Sequence, residues 1–519
     1  MQGPVPVKHH GLITASLMLA TIMQVLDTTI ANVALPSMRS DLGASSDTIN
    51  WVLTSYIVAS AIVTPLSGWM SERFGRKEVF IASVAGFVVT SMLCGIAWSL
   101  ESMVFFRMAQ GVFGAAIVPL SQTFLLDINP REKHGQAMAI WGAGIMVGPI
   151  IGPTLGGYLT ETLNWRWVFF INLPLGIIAL AGLAAYLPQM PRRVRLFDFI
   201  GFAALGLGVG ALQLMLDRGG EVDWFNSVEI WIELAISLCG FWVFVIWIMG
   251  VEHPFLDPKM FADRNFATGL VLIFIVGIVL LASLALLPPM LSALFGYPVI
   301  TTGMVMAPRG VGTMIMMIAA GKLLRIVDAR KLVITGLLFT SWSLYIMTGF
   351  GPQMNAVPII VSGFIQGLGL GLVFVPLSTV AFATIAPQFR GDATALFSLV
   401  RNIGSSIGIS IVTLLLTRNT QISHTELVAN ISLYDPNFSG MMSGAGGAML
   451  QSMTAQHGEG AFWAVVNQIV TAQAAMVAYV DDFEALMWIT LAALPLALLL
   501  RRPVAAPPGV SAPPAAHAD

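Results

Sequence analysis

Long apolar runs, separated by short groups of Gly, Pro and charged residues, make up most of this sequence. A bilayer core about 30 Å thick needs about 20 predominantly apolar residues in a helix. Fourteen runs approach this length, and none shows the two-residue alternation of a strand. They predict helices at residues 11–35, 49–71, 78–98, 102–125, 136–160, 166–188, 197–217, 227–250, 266–288, 303–323, 331–350, 355–377, 394–416 and 483–501. The pattern therefore indicates an all-α integral membrane protein.

The composition supports this reading. Of the 519 residues, 56% are hydrophobic and only 10% are charged, and the mean hydropathy is +0.82. Soluble domains usually contain about 25% charged residues. The net charge of −2 gives no indication of nucleic-acid binding. The first run is longer than the apolar core of a signal peptide and contains Asp27, so we expect a retained helix.

Lys and Arg residues are distributed unevenly between the two sides of the predicted spans. Of the 25 such residues, 18 lie on one side and 4 on the other. The positive-inside rule places the first side, with both termini, in the cytoplasm. A fifteenth span at 460–480 would move Arg501 and Arg502 outside. We therefore predict one long periplasmic loop with helical, partly amphipathic pieces at 417–482, and a disordered cytoplasmic tail at 503–519. The loop either has a role of its own or simply caps the outer mouth.

The two halves of the chain resemble each other. A constant offset of 256 residues relates four pairs, which are Gln110-Gly111 and Gln366-Gly367, Gly135 and Gly391, Gly148 and Gly404, and Gly152 and Gly408. This predicts an N-terminal six-helix bundle at 11–188 and a C-terminal bundle at 266–416 and 483–501, with two inserted helices at 197–250. Parallel six-helix repeats are typical of transporters.

Asp27 is the most informative single residue, because an Asp at the centre of a membrane helix costs about 2.5–3.5 kcal/mol. Counted at 1.5 Å per residue, Asp27 lies about 12 Å and Arg107 about 8 Å from the outer ends of their helices. The two side chains are therefore expected to meet. We interpret Asp27 as the group that binds a coupling proton, with Arg107 controlling its protonation. The alternative is a static buried ion pair.

Other intramembrane polar residues are candidates for the substrate cavity, which should otherwise be apolar and rich in Met and aromatic side chains. They are Gln24, Tyr56, Gln110 and Arg309. Arg309 and Arg401 could contact anionic substrates or neutralise carboxylates, although Arg401 could equally extend to the cytoplasmic surface.

We find no motif typical of an enzyme in this sequence. Cys94 and Cys239 lie far apart in apolar runs, which predicts neither a disulfide nor a metal site. We find no phosphate-binding loop and no nucleophile motif. The sequence therefore predicts no catalytic residues, no metal and no cofactor, with the proton as coupling ion.

The segment between the second and third spans combines two glycines with a charge cluster, a combination suited to a reversible cytoplasmic latch. Its residues are Gly68, Glu72, Arg73, Gly75, Arg76 and Lys77. Simple anchoring by positive charge is the alternative. The segment resembles the signature of the major facilitator superfamily, in which two six-helix bundles alternate access to a central site.

A second glycine group lies in the fifth span and resembles the superfamily motif that marks antiporters. It consists of Gly148, Gly152, Pro153, Gly156 and Gly157. Small residues at i, i+4 and i+8 let helices approach closely, which many membrane proteins use for packing alone. Antiport therefore follows from the resemblance and not from the spacing.

Three further stretches resemble 14-span drug:proton antiporters of the EmrB/QacA type. They are residues 27–36, residues 165–174 and, most similar to the EmrB branch, residues 212–225. The resemblance implies a proton-driven exporter of hydrophobic or amphipathic toxic compounds in a bacterial inner membrane. It also implies a periplasmic membrane-fusion adaptor and an outer-membrane channel as partners. A nutrient symporter is the main alternative, and a membrane enzyme would need a polar catalytic cluster.

Overall fold

Each predicted span corresponds to one helix or to two consecutive helices. The computed structural model describes residues 7–45, 47–190, 192, 195–429 and 459–501, and these residues form no β-strand. Its α-helices are α1 (His10–Asp41), α2 (Trp51–Val63), α3 (Leu66–Phe74), α4 (Arg76–Gly95), α5 (Leu100–Gly114), α6 (Ile117–Ile128), α7 (His134–Ile145), α8 (Val147–Thr162), α9 (Trp167–Phe170), α10 (Asn172–Tyr186), α11 (Phe199–Arg218), α12 (Val228–Gly250), α13 (Arg264–Ala293), α14 (Val299–Leu323), α15 (Ala329–Thr348), α16 (Val357–Ala383), α17 (Arg390–Ala429), α18 (Glu459–Ala492) and α19 (Leu494–Ala497).

The number of candidate spans agrees with the sequence. Thirteen helical stretches of the described chain are long and apolar enough to cross a membrane. The pair α2 and α3, bent by 58°, makes the fourteenth when counted as one span. The all-α class and the predicted fourteen spans are thus confirmed, although single helices extend beyond the apolar runs. The helix α1, for example, continues past the predicted end at residue 35 to Asp41.

The two six-helix units pack around equivalent helices. In the first unit α1 packs on α8 and α10, and in the second α13 packs on α17 and α18. The repeated glycines make both contacts possible, because a Cβ on Gly148 would lie 2.9 Å from a side-chain carbon of α1, and one on Gly404 would lie 2.3 Å from a backbone oxygen of α13. The internal repeat read from the sequence is therefore also a repeat of helix contacts.

The two inserted helices lie beside the junction of the bundles. They pack tightly on each other, since a Cβ on Gly240 in α12 would lie 2.6 Å from the backbone nitrogen of Gly208 in α11. The helix α11 also contacts α2 of the first bundle and α17 of the second. The insert therefore touches both halves.

We call the side of the molecule that carries the connections α3–α4, α6–α7, α10–α11, α12–α13, α14–α15 and α16–α17 the basic side, and the other the opposite side. The bundles are in contact on the basic side. Thr123 Oγ1 of α6 lies 2.7 Å from Thr394 Oγ1 of α17, and Trp141 of α7 stacks on Phe374 of α16 with ring centroids 6.3 Å apart. Close packing of both polar and aromatic pairs closes this end.

The long predicted loop at 417–482 needs a correction. Its first and last parts are helical, because α17 continues to Ala429 and α18 begins at Glu459. The predicted helix ends at 416 and 483 are therefore wrong. The two helices extend because they pack on each other, and His424 Nε2 lies 2.9 Å from Asn467 Oδ1. The expected helical pieces are thus present. Residues 430–458 and the predicted tail at 503–519 lie outside the described residues.

Candidate functional site

Asp27 and Arg107 form an ion pair in the interior of the first bundle. Asp27 is 1% exposed and Arg107 is 0% exposed. Arg107 Nη1 lies 2.7 Å from Asp27 Oδ2. The expectation that α1 and α5 bring these two residues to the same depth is confirmed. Two formal charges buried in this way must be held by further polar groups, since the attraction between them does not by itself offset the loss of water.

Two amide side chains complete the surroundings of the carboxylate. Gln110 Nε2 donates to Asp27 Oδ1 at 3.0 Å, and Asn172 Nδ2 donates to the same oxygen at 2.7 Å. Asn172, the first residue of α10, is itself placed by a bond of 2.9 Å to Ser91 Oγ on α4. The carboxylate therefore receives hydrogen bonds from two helices besides the arginine.

Arg107 has partners that remain when Asp27 is neutral. Its Nη1 also donates to Gln110 Oε1 at 2.7 Å, and its Nε donates to the Val52 carbonyl at 3.1 Å. Its guanidinium lies 4.5 Å from the centroid of the Tyr56 ring, within the range of a cation–π contact. The arrangement can thus hold the arginine in place while the carboxylate gains or loses a proton. We call Asp27, Arg107, Gln110, Asn172 and Tyr56 the Asp27 cluster.

The polar residues considered for the substrate cavity separate into two groups. Gln110 and Tyr56 belong to the Asp27 cluster, and Gln24 contacts it through a bond of 3.4 Å from its Nε2 to the Tyr56 hydroxyl. Arg309 lies in the second bundle. The first three therefore belong to the Asp27 cluster or contact it, and Arg309 forms a separate polar site.

The glycine group of the fifth span packs directly against the part of α1 that carries Asp27. A Cβ on Gly152 would lie 2.2 Å from Thr29 Oγ1, and one on Gly156 would lie 3.1 Å from a side-chain carbon of Ile30. Gly148 lies against Leu26, and Gly157 is also buried. Pro153 lies inside α8. Movement of α1 at Asp27 would therefore be transmitted to α8.

Arg309 occupies the counterpart of Tyr56 in the second bundle. A Cβ on Gly111 would lie 2.4 Å from the Tyr56 carbonyl, and one on the matching Gly367 would lie 2.0 Å from the Arg309 carbonyl. Arg309 is 6% exposed. Its Nη2 donates to the Leu280 carbonyl at 2.9 Å and to Ser283 Oγ at 3.1 Å, and no described carboxylate pairs with it.

Unsatisfied polar atoms accompany this second arginine. Arg309 Nη1 has no hydrogen-bond partner among the described residues, and neither have the two amide atoms of Gln366. Gln366 is the repeat counterpart of Gln110 and is 0% exposed. In the second bundle a cation and an amide are thus buried without an ion-pair contact to any described carboxylate, which is an arrangement suited to an anionic group from elsewhere.

The charge cluster after α3 joins the two bundles on the basic side. Arg76 forms an ion pair with Asp127 at the end of α6. Asp127 Oδ1 also accepts from Arg390 Nη1 of the second bundle at 2.8 Å. One carboxylate therefore bridges arginines from both halves of the molecule.

A second set of contacts is centred on Arg195, in the segment between α10 and α11. Its Nη1 lies 2.7 Å from Asp392 Oδ2 and 3.4 Å from Glu72 Oε2. Its Nη2 donates to the carbonyl of Pro254 at 3.2 Å. Burial alone would lower the pKa of the Arg195 guanidinium, but the carboxylates of Asp392 and Glu72 outweigh it and raise the pKa. Arg195 is therefore positively charged at every physiological pH.

The remaining residues of the predicted latch have different surroundings. A Cβ on Gly68 would lie 2.2 Å from Asp392 Oδ1, so only glycine permits this approach. Gly75 has φ of +102°, a conformation that favours glycine. Lys77 Nζ donates to the carbonyls at the end of α10, at 2.8 and 2.9 Å. Arg73 is exposed and has no hydrogen bond or ion pair with another described residue.

Five residues of these sites were not singled out from the sequence. They are Asn172, Asp127, Arg195, Arg390 and Asp392. Asn172 lies in the stretch 165–174 that carries the family resemblance, and Asp392 follows the repeated Gly391, so both had a signal nearby. The other three lie near span ends, where a charge is usually explained by contact with water or lipid headgroups. Among the described residues no group of His, Cys, Asp and Glu could hold a metal ion.

Comparisons with known proteins agree with this geometry. The pattern that defines the Major Facilitator Superfamily matches residues 17–409. Multidrug export protein EmrB of Haemophilus influenzae is 37% identical over 82% of this chain and 84% of its own length. EmrB of Escherichia coli K12 is 35% identical over 85% of this chain and 87% of its own. Fatty acid resistance protein FarB of Neisseria gonorrhoeae is 37% identical over 83% and 85%.

Solved structures show the same fold at low identity. The human organic anion transporter MFSD10 superimposes with a TM-score of 0.57 at 14% identity, covering 92% of this chain and 99% of its own. The proton:xylose symporter XylE gives a TM-score of 0.56 at 14% identity, covering 92% of this chain and 98% of its own. The fold of the described chain is therefore that of a membrane transporter.

Proposed function

Since this chain belongs to the Major Facilitator Superfamily and is similar to EmrB multidrug exporters over most of its length, we propose that it is a proton-driven antiporter. It is a multi-pass membrane transporter rather than an enzyme, and its relatives support multidrug efflux. The proposal adds the coupling ion and the direction. Protons enter the cell as hydrophobic or amphipathic compounds leave it, with the basic side of the protein in the cytoplasm of a bacterial inner membrane.

The Asp27 cluster is the observation that carries the proposal. An antiporter needs one group that is neutral when it faces one side of the membrane and charged when it faces the other. Asp27 is a buried carboxylate with a cation and two neutral donors around it. Intramembrane carboxylates paired in this way are typical of proton relays.

The proton step follows from the hydrogen bonds of the cluster. When Asp27 binds a proton from the external side, its charge is lost and its attraction for Arg107 weakens. Arg107 then relies on Gln110 Oε1, the Val52 carbonyl and the Tyr56 ring. Release of the proton to the cytoplasm restores the ion pair. The two protonation states therefore favour different positions of α1 relative to α5.

The glycine group of α8 connects this step to the bundles. Gly148 and Gly152 hold α8 against α1 on either side of the Asp27 level, and α8 also contacts α14 of the second bundle. A shift of α1 on protonation would then change the contact between the bundles. The ion pairs Asp127–Arg390 and Arg195–Asp392 on the basic side would break as that side opens.

Transport in everted membrane vesicles tests the proposal. We expect the wild-type protein to accumulate a hydrophobic dye or drug when the vesicle lumen is acidified, because inverted vesicles reverse export into uptake. Asp27→Asn should abolish this accumulation, and Asp27→Glu should keep part of it.

Glu161→Gln is the matched control, because Glu161 is an exposed carboxylate on the opposite side of the same bundle. Accumulation by Asp27→Asn at the wild-type rate would contradict the role of Asp27. Accumulation by the wild-type protein that does not respond to the pH gradient would contradict proton coupling itself.

Arg309 and Gln366 extend the proposal to anionic compounds. A buried arginine without a carboxylate partner is costly, and a carboxylate on the transported molecule could accept hydrogen bonds from Arg309 Nη1 and Gln366 Nε2. The name of the relative FarB, a fatty acid resistance protein, supports acids as one substrate class. We therefore propose that Arg309 contacts the acidic group of anionic substrates.

Kinetics with two substrates test this role. Arg309→Gln should raise the KM for a long-chain fatty acid about tenfold or more, since a charge-assisted hydrogen bond contributes about 1.5–3 kcal/mol. Arg309→Lys should keep part of the affinity. An equal loss for an uncharged substrate would show that Arg309 only supports the fold.

A periplasmic membrane-fusion adaptor and an outer-membrane channel are the proposed partners. The helical ends of α17 and α18 support a contact outside the bundle, because they extend past the predicted spans and pair through His424 and Asn467. Their surfaces expose Ile422, Leu427 and Ile469, which are 46%, 36% and 43% exposed. An adaptor with an apolar helical surface would cover them.

Copurification of the membrane protein with a coexpressed candidate adaptor tests this contact. We expect Ile422→Glu to reduce the amount of adaptor recovered. Glu161→Gln is the control, because it changes a residue that is also on the opposite side of the protein but outside the helical ends of α17 and α18. Equal recovery with Ile422→Glu would contradict the proposed surface.

A further inference from the structure

A crevice on the opposite side is built from the sequence stretch 212–225, which none of the steps above uses. It lies between α2, α11 and α17, and its volume is about 400 Å³. Residues of that stretch and of the following turn form one wall, and the hydroxyl-bearing face of α17 forms another. The inserted helices therefore supply a cavity that the six-helix bundles alone would not have.

The charge in the crevice has one sign. Asp217, Glu221 and Asp223 line it, and none of its lining residues is basic. The nearest arginine in sequence, Arg218, is held elsewhere, because its guanidinium bonds to Glu229 at 2.5 Å and lies 5.3 Å from the Trp51 ring centroid. The crevice is therefore an electronegative space that is open to the external solution.

One largely buried amide faces the crevice without a protein partner. Gln213 lines the crevice and is 4% exposed, and it makes no hydrogen bond with any described residue. Its amide atoms are not fully shielded from solvent, so they reach the space of the crevice. A bound molecule or its hydration water would satisfy the amide, and this observation is independent of the three carboxylates.

The rest of the lining narrows the ligand class. Ile57, Leu216 and Leu414 provide apolar surface, and Trp224 provides an aromatic ring suited to a cation. A metal ion is disfavoured, because no described group of His, Cys, Asp and Glu has the geometry to hold one. Negative charge beside apolar and aromatic surface fits a molecule that is both cationic and hydrophobic.

We propose that this crevice binds amphipathic organic cations at the external face of the transporter. Asp217 and Glu221 attract the positive charge, Trp224 and the apolar wall contact the hydrophobic part, and Gln213 bonds to the ligand or its water. The biological use of the crevice, as a release site for exported cations, rests on the proposed export function. Binding itself does not require transport.

Equilibrium binding of tetraphenylphosphonium to the purified full-length protein in nanodiscs is the test. We expect Asp217→Asn and Glu221→Gln each to raise the Kd about fivefold or more, the factor for losing one charge contact at about 4 Å in water. Salt should weaken binding to the wild-type protein. Glu161→Gln, which removes a carboxylate from the same side outside the crevice, should leave the Kd unchanged.

Several outcomes would overturn the proposal. They are unchanged binding in both crevice variants, an equal loss with Glu161→Gln, and no binding to the wild-type protein. If Asp217→Asn does not fold, Glu221→Gln alone decides, because among the described residues its carboxylate bonds only to the exposed Asn50 amide.

Vesicle transport separates this proposal from the export function. Wild-type protein that binds the cation but shows no transport with any substrate would contradict export and leave the crevice supported. Export with unchanged cation affinity in Asp217→Asn and Glu221→Gln would contradict the crevice and leave export supported. The fatty acid measured for Arg309 is the internal control, since its KM should not change in the crevice variants.

Discussion

Replacing Arg195 by Gln should open the basic side of the transporter. This one guanidinium lies between Asp392 of the second bundle and Glu72 of the first, at 2.7 and 3.4 Å. Its removal leaves two carboxylates near each other with no cation between them. The closed contact should therefore lose stability relative to the open state.

The loss of stability of the closed contact can be judged from the burial of the ion pair. Breaking a buried ion pair costs about 3–5 kcal/mol, whereas an exposed pair contributes about 0–1 kcal/mol. The side chain of Arg195 is 21% exposed and that of Asp392 is 3% exposed, so an intermediate value of about 2 kcal/mol is reasonable. Such a change alters the ratio of closed to open states about 30-fold.

Cysteine labelling measures this ratio. Thr394→Cys, in a background with Cys239→Ser, places a thiol where Thr394 contacts Thr123 in the closed state. A membrane-impermeant maleimide applied to inside-out vesicles should label it at least about tenfold faster when Arg195→Gln is present. The raised pKa of Arg195 keeps the guanidinium itself charged at neutral and low pH, and this charge is lost only above the usual arginine range.

Arg73→Gln is the matched control, because Arg73 belongs to the same motif but is exposed and makes no ion pair with a described residue. If Arg195→Gln leaves the labelling rate unchanged, or if Arg73→Gln raises it equally, the latch does not depend on Arg195. In an Asp392→Asn background the effect of Arg195→Gln should become smaller, since the main partner is already neutral.

Other predictions concern packing around the buried pair. Gly152→Ala should slow proton-driven export because its Cβ would lie 2.2 Å from Thr29 Oγ1, and adding Thr29→Ala should restore part of the rate; an unchanged rate in the single variant would contradict this. Asn172→Leu should lower unfolding stability by about 1–3 kcal/mol, measured by thermal denaturation in detergent, because it removes a donor to the buried carboxylate. A membrane-permeant maleimide should reach the buried Cys94 only on unfolding; rapid native labelling of Cys94 would contradict its burial.

The sequence predicted the Asp27–Arg107 pair because each charge is costly in its span and helix geometry gives its depth. Depth alone does not say which other helices face the pair. Asn172 completes the site only because α10 packs on α1, and no periodicity in span six marks it. Depth was likewise not enough to place Gln24 and Tyr56. From the sequence they were candidates for the substrate cavity, and the fold places them at the Asp27 cluster.

The basic-side contacts were harder to predict than the intramembrane pair. Asp127, Arg390 and Asp392 lie near helix ends, where charges in contact with water need no partner. Their pairing depends on how the two bundles meet, because the partners Asp127 and Arg390 are 263 positions apart and Arg195 and Asp392 are 197 positions apart. The sequence likewise predicted a loop with helical pieces at 417–482, because a span at 460–480 would move Arg501 and Arg502 outside. Packing between α17 and α18 extends both helices into this segment.

Substrate-driven proton movement in proteoliposomes tests most directly whether Asp27 carries the coupled proton. Purified protein would be reconstituted, a transported compound added on one side, and the internal pH followed with a trapped dye. We predict that the wild-type protein moves protons when substrate is added, and that Asp27→Asn moves none while still exchanging labelled for unlabelled substrate. Proton movement by Asp27→Asn at the wild-type rate would contradict the account.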